Sequence, residues 1–202
     1  MPQDQNTDTN IDLEEKTGLE ENSDLLGYAA EAKTKSAKSA QGPIRPVPYA
    51  VRKLVVVVDD SPESKIAIRF AAARASHLTG GGLVLFHCIP PVEFQHWVAV
   101  ADQMRQEAHE EATILLNKVA EELRQYSGVD PEIEIIEGEP GQTLFDYMRT
   151  TPDLFSLVLG VGTGKDPGPL VDYFTRQHTH DMPCPVFLIP GSMTYEQIDS
   201  IA

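Results

Sequence analysis

The chain has 202 residues, 31 Asp plus Glu against 16 Lys plus Arg, and a net charge of −15. That length gives room for one ordinary domain with tails. So acidic a surface repels phosphate backbones and anionic membranes, which argues against nucleic-acid and membrane partners.

Residues 1–50 hold nine acids, five bases and little bulky apolar surface beyond Leu25, Leu26 and Tyr28. Too few apolar groups are present to offset the ordering entropy, so a disordered acidic N-terminal tail is expected there. The patch SDLLGYAAEA could dock a partner, although a few apolar residues in a mobile tail more often do nothing. The N-terminus shows neither the basic nor the apolar region of a secretory signal. The longest apolar runs are far below the roughly 20 residues of a membrane span. A cytoplasmic protein is the expectation.

From Arg52 the pattern changes. KLVVVV at 53–58 is a β-branched run suited to a strand buried on both faces of a parallel sheet. DDSPES follows, where Asp60 or Ser61 can cap a helix that takes Pro62 and Glu63 in its first turn. Ile66, Phe70 and Ala73 keep helical spacing, and the glycines at 80–82 end the helix. LVLFHCI at 83–89 reads as the second strand, and residues 93–127 as a long helix. Its expected apolar stripe is Trp97, Ala101, Met104, Ala108, Leu115, Val119 and Leu123.

EIEIIEG at 132–138 suits an edge strand guarded by charge. GQTLFDYM at 141–148 predicts a short helix, SLVLG at 156–160 a fourth strand, 169–179 a helix, and PVFLIP at 185–190 a fifth strand. Alternation of this kind makes an open, five-stranded parallel α/β sheet with helices on both faces. The expected domain covers 51–191, with a C-terminal tail at 192–202. Ligands of such sheets settle beyond the carboxyl ends of the strands, where strand order reverses.

The pieces KLVVVVDDSPES, FHCIPP, EGEPGQTL, LVLGVGTG and MPCPVFLIPG stand in order along the chain. Together they resemble the universal stress protein family over nearly all of residues 52–190. The resemblance implies an adenine nucleotide alpha hydrolase-like sheet in the order 3-2-1-4-5, a homodimer built around the last strand, and a role in stress survival. Nucleotide-binding members look like Gly-x-x-Gly, nine residues, then Gly-Ser or Gly-Thr. Here Thr163 stands for the second glycine, flanked by Gly162 and Gly164. Aligned from MPCPV, the closing Gly-Ser pair falls on Val171 and Asp172.

A carboxylate about 4 Å from a phosphate oxygen costs roughly 4 kcal/mol at an effective dielectric near 20. The adenine end is better kept: Asp59 matches the family's strand-one aspartate, and Cys88 and Ile89 stand where base and ribose are contacted. The implied nucleotide contacts are therefore Asp59, Cys88, Ile89, Gly160, Gly162, Thr163, Gly164 and Lys165, with AMP or adenosine fitting more easily than ATP.

Asp59 and Asp60 could hold magnesium beside a nucleotide, but adjacent carboxylates at a strand end are usually a cap and a solvated neighbour. Lys165 is not followed by the Ser or Thr of a P-loop. His178 and His180, two apart, complete no zinc set, and His87 alone reads as structural. Cys88, Ser61 and Thr175 lack a base at recognisable spacing, so at most a weak ATPase is expected. Cys88 and Cys184 belong to opposite ends of the sheet and should not form a disulfide.

Pro183, Pro185 and Pro190 mark the last strand as an edge. Its centre, Val186, Phe187, Leu188 and Ile189, should pair with a second copy. Two functions follow: a dimeric stress protein that responds to an adenine nucleotide, or a nucleotide-independent dimer acting through protein partners not identified by the sequence.

Overall fold

The computed structural model describes residues 52–78, 80–91 and 98–202. The expected tail over 1–50 and Trp97 lie outside these residues. The sheet is built from β1 (Arg52–Val57), β2 (Gly81–Ile89), β3 (Glu132–Glu137), β4 (Leu154–Val161) and β5 (Val186–Pro190). All pairs are parallel and the order is β3-β2-β1-β4-β5. The expected topology is the observed one.

β1 is central because its β-branched side chains can be covered on both faces. Leu54, Val55 and Val56 are all fully buried. Leu54, Val56 and Val58 face the layer of α1 (Pro62–His77) and α2 (Val98–Ser127), while Val55 joins Phe145, Met148 and Phe174 beneath α3 (Pro140–Thr150) and α4 (Pro169–Asp172). Small residues let α1 approach closely: Ala67, Ala71, Ala72 and Ala75 are buried against the sheet.

The start of α1 is fixed by a serine relay. Ser61 Oγ accepts from the Ser64 amide at 3.1 Å, and Ser64 Oγ donates to the Val57 carbonyl at 3.0 Å. The cap satisfies a helix-end donor and ties the first turn to the end of β1.

Two elements depart from expectation. On α2 the buried line runs through Ala101, Ala112, Leu116, Ala120 and Leu123, while Leu115 and Val119 are half-buried and Met104 is exposed. The apolar band is wide enough for either phase. The alanines decide it, because they let the helix sit closer to the sheet. The helix expected over 169–179 is a single turn, α4, running into a π-turn at Tyr173–Gln177.

The segment 192–202, expected as a tail, carries α5 (Tyr195–Ile201). Thr194 and Gln197 form its capping box. Ile198 is fully buried in the α1-side core. Arg69 grips Asp199 with two bonds, 2.8 and 2.6 Å, between the rings of Tyr126 and Tyr195 at 4.1 and 4.6 Å. The sequence reading missed this docking because Met193, Ile198 and Ala202, which pack on the core, are too few positions in a short polar segment to leave a periodic signal.

Candidate functional site

The strand order reverses at β1, so the crevice that could take a ligand opens between the carboxyl ends of β1 and β4. A cavity of about 90 Å³ lies there, walled by Val57, Asp59, Glu63, Gly160, Gly168 and Val171 among others. Pockets for drug-sized ligands run to about 300–1,000 Å³. This one has room for a few waters.

Each wall explains the small size. A Cβ on Gly160 would meet the Glu63 carbonyl at 2.5 Å, so β4 and the first turn of α1 are already in contact. Asp59 is turned back on its own loop: Oδ1 accepts from the Ser61 amide at 3.0 Å, and its amide donates to Ser64 Oγ at 3.2 Å. Asp60 lies in solvent and pairs with Lys65 at 3.1 Å. Asp59 thus closes a turn ahead of the Ser61 cap, and Asp60 is a solvated neighbour. Among the described residues no group of three or more His, Cys, Asp or Glu is placed to hold a metal ion.

The glycine loop closes on itself. The Gly162 amide donates to the Pro167 carbonyl at 3.0 Å, and the Gly168 amide to Asp166 Oδ1 at 3.0 Å. Pro167 and Pro169 have no amide to offer. Thr163, Gly164 and Lys165 stand exposed at the loop's tip. Val171 is buried, and Asp172 turns to Arg176 at 3.3 Å instead of toward the crevice.

The structure therefore brings Asp59 and Gly160 together at the cavity, strings Gly162, Thr163, Gly164 and Lys165 along the loop, and sets Cys88 and Ile89 apart. Cys88 Sγ donates to the Gly138 carbonyl at 3.3 Å, and Ile89 is buried, its carbonyl accepting from the Gly138 amide at 2.9 Å. Neither lines the crevice. Burial pushes the Cys88 thiol up, as it does that of Cys184. Both thiols are free and held protonated at neutral pH, which disarms them as nucleophiles. His87 Nδ1 is bonded to the Val58 carbonyl at 2.7 Å, a structural role. His178 stacks on Tyr173 at 4.4 Å. Glu63, Asp166 and Pro167 were missed as determinants of the site; the two prolines around Gly168 were the visible signal.

The model of the universal stress protein family matches residues 50–190. The chain belongs to the universal stress protein family. Solved structures share its fold: the universal stress protein UspA from Lactobacillus plantarum is 20% identical, with a TM-score of 0.57, over 68% of this chain and 97% of that one. A universal stress protein from Archaeoglobus fulgidus is 22% identical, with a TM-score of 0.52, over 68% and 93%. A family protein from Arabidopsis thaliana, solved with AMP bound, is 20% identical, with a TM-score of 0.49, over 69% and 91%. No curated protein matches the chain.

The family's sheet is present in full, while the loop that the resemblance implied as a phosphate cradle is occupied by its own atoms. Among the described residues no helix of this universal stress protein is long and apolar enough to cross a membrane.

Proposed function

We propose that this stress-response protein works without a bound nucleotide, as a homodimer joined along β5 that acts through protein partners in the cytoplasm. The observation that carries this reading is the closed glycine loop: both of its bonded amides are taken by internal acceptors, and two neighbouring positions are prolines. A phosphate needs free backbone donors or cations, and the crevice offers the carboxylates Asp59 and Glu63 instead. The cavity is also several times smaller than a nucleoside requires.

The β5 edge supports the dimer. Among the described residues β5 ends the strand order and pairs with β4 alone, while Leu188 is 41% exposed at its centre. Val186 and Phe187 are half-buried, and Ile189 belongs to the core, so Leu188 is the side chain most available to a second copy. A bare apolar edge invites strand pairing, and a twofold pairing closes it.

Isothermal titration with ATP, AMP and adenosine, each with and without magnesium, tests the reading. No dissociation constant below about 1 mM is expected for any of them; binding in the micromolar range contradicts it and returns the nucleotide-responsive alternative.

A further inference from the structure

We propose that the groove between α1, α2 and α5 binds an alkyl carboxylate, a fatty acid of medium chain length, with its head at Lys118 and its chain along α2. The groove has a volume of about 350 Å³, within the range of about 300–1,000 Å³ of small-ligand pockets. One wall belongs to α5, which follows the residues matched by the family model, and the glycine loop takes no part in it. The proposal therefore stands whichever way the nucleotide titration falls.

The groove follows from the phase of α2. Ala112, Leu116 and Ala120 are buried, which leaves Leu115 and Val119 half-buried on the flank of the helix. Together with Ile68 and Leu123 they make an apolar floor. Tyr126 and Tyr195, 38% and 47% exposed, form aromatic walls. Both rings are held by the Arg69 guanidinium, which stacks on each and is fixed in turn by Asp199. An apolar floor left half open to water gains stability from an alkyl chain that covers it.

Charge selects the head group. On a chain of net charge −15, three of the five charged residues lining this groove are cations. Arg69 is committed to Asp199 at 2.6 Å and Lys65 to Asp60 at 3.1 Å. The exposed Lys118 has no side-chain hydrogen bond or ion pair among the described residues. One unpartnered ammonium suits one carboxylate, whereas a dianion would set its second charge against Asp60 and Glu122. Glu122, one turn beyond Lys118, also keeps a carboxylate from sliding along the groove. The eight-residue advance from Lys118 to Tyr126 is about 12 Å of helix. An extended chain of C–C bonds of about 1.52 Å advances about 1.25 Å per carbon, so about ten carbons fill that length.

The probes are sodium hexanoate, octanoate, decanoate and dodecanoate, each kept below the concentration at which it forms micelles and titrated calorimetrically into the full chain. Octanol and octyltrimethylammonium are the neutral and cationic controls. Affinity should rise about twofold per carbon, because the open groove covers each CH₂ on one side only, and level off at about ten carbons. Decanoate should bind with a Kd below about 0.5 mM, and both controls at least about fivefold more weakly than octanoate. Lys118→Glu, a change at an exposed position, should weaken decanoate at least about tenfold with Tm unchanged. Lys118→Met keeps an apolar stem and should weaken it about threefold while narrowing the preference over the cation; should Lys118→Glu fail to fold by circular dichroism, this variant decides. The proposal is overturned by decanoate affinity within about twofold of wild type in the folded variants, by controls that bind as tightly as octanoate, by affinity still rising from ten to twelve carbons, or by no saturable decanoate binding below about 5 mM.

Discussion

The crevice between β1 and β4 and the free side of β5 lie within two strands of each other, and their polar groups are treated in opposite ways. At the crevice and its loop the amides of Gly162 and Gly168 and the carboxylate of Asp59 all have partners within this chain. At β5 the backbone is paired on one side only among the described residues, and Leu188 is 41% exposed. The difference teaches where capacity for a partner remains: an internally bonded site must break bonds to bind, whereas an edge strand gains them. The opposite edge sharpens the contrast. β3 carries Glu132 and Glu137, held to Lys53 at 2.9 Å and to Arg105 at 3.0 Å, and like charge there discourages a second acidic copy.

The contrast can be broken first at the crevice. Gly160→Val forces a side chain into the Glu63 carbonyl, which lies 2.5 Å from the position of the first added carbon. A loss of about 3 kcal/mol in urea unfolding is expected, with an unchanged slope. A loss under about 0.5 kcal/mol would mean that α1 and β4 are not in firm contact.

At the edge, Leu188→Glu should raise the dimer dissociation constant at least about tenfold, since it sets charges against each other in a self-paired strand. Monomer stability should change by less than about 0.5 kcal/mol, because the side chain is already 41% exposed. Analytical ultracentrifugation and thermal melting read the two effects separately.

A smaller change concerns β4, the strand shared by both regions. Ser156 is fully buried and its hydroxyl has no hydrogen-bond partner among the described residues. Ser156→Ala should therefore stabilise the protein by about 1 kcal/mol in the same urea assay, and destabilisation would show that the hydroxyl is bonded.

The least effect is expected at α5, beside the edge. The Arg69 guanidinium, helped by the Tyr126 hydroxyl, holds the Asp199 carboxyl down to about 2. The folded value lies below that of an unfolded aspartate, about 3.9, so the stabilisation is present above about pH 4 and lost as pH falls through 2. The melting-temperature difference between wild type and Asp199→Asn should shrink across that window. A difference constant from pH 5 to pH 2 contradicts the contact.

Much of the fold was legible because its signals are local. The run at 53–58, the Ser61 cap and the charged alternation of 132–137 each state an environment that neighbouring residues alone can specify. The phase of α2 was not legible: apolar residues at 112, 115, 116, 119, 120 and 123 allow two lines, and only close approach to the sheet selects the alanines. The docking of α5 escaped for the same reason, since Arg69 and Asp199 meet across 130 residues.

The candidate site was half legible. Its place at the strand reversal and the wrong residues at 171 and 172 could be read, and they pointed to weak phosphate binding. The internal bonds from Gly162 to Pro167 and from Gly168 to Asp166 could not, because glycine permits many conformations and the sequence does not say which is taken. Cys88 and Ile89 stand at the matching sequence positions, yet they turn toward Gly138, a contact made only when β3 is in place.

Sedimentation velocity of the full chain from about 1 to 100 µM, with and without 1 mM ATP, tests the central claim most directly, because it reads the open edge and the closed crevice in one experiment. A dimer whose mass and dissociation constant are unchanged by ATP is predicted. A monomer throughout, or a dimer that forms or parts only when ATP is added, would contradict the account.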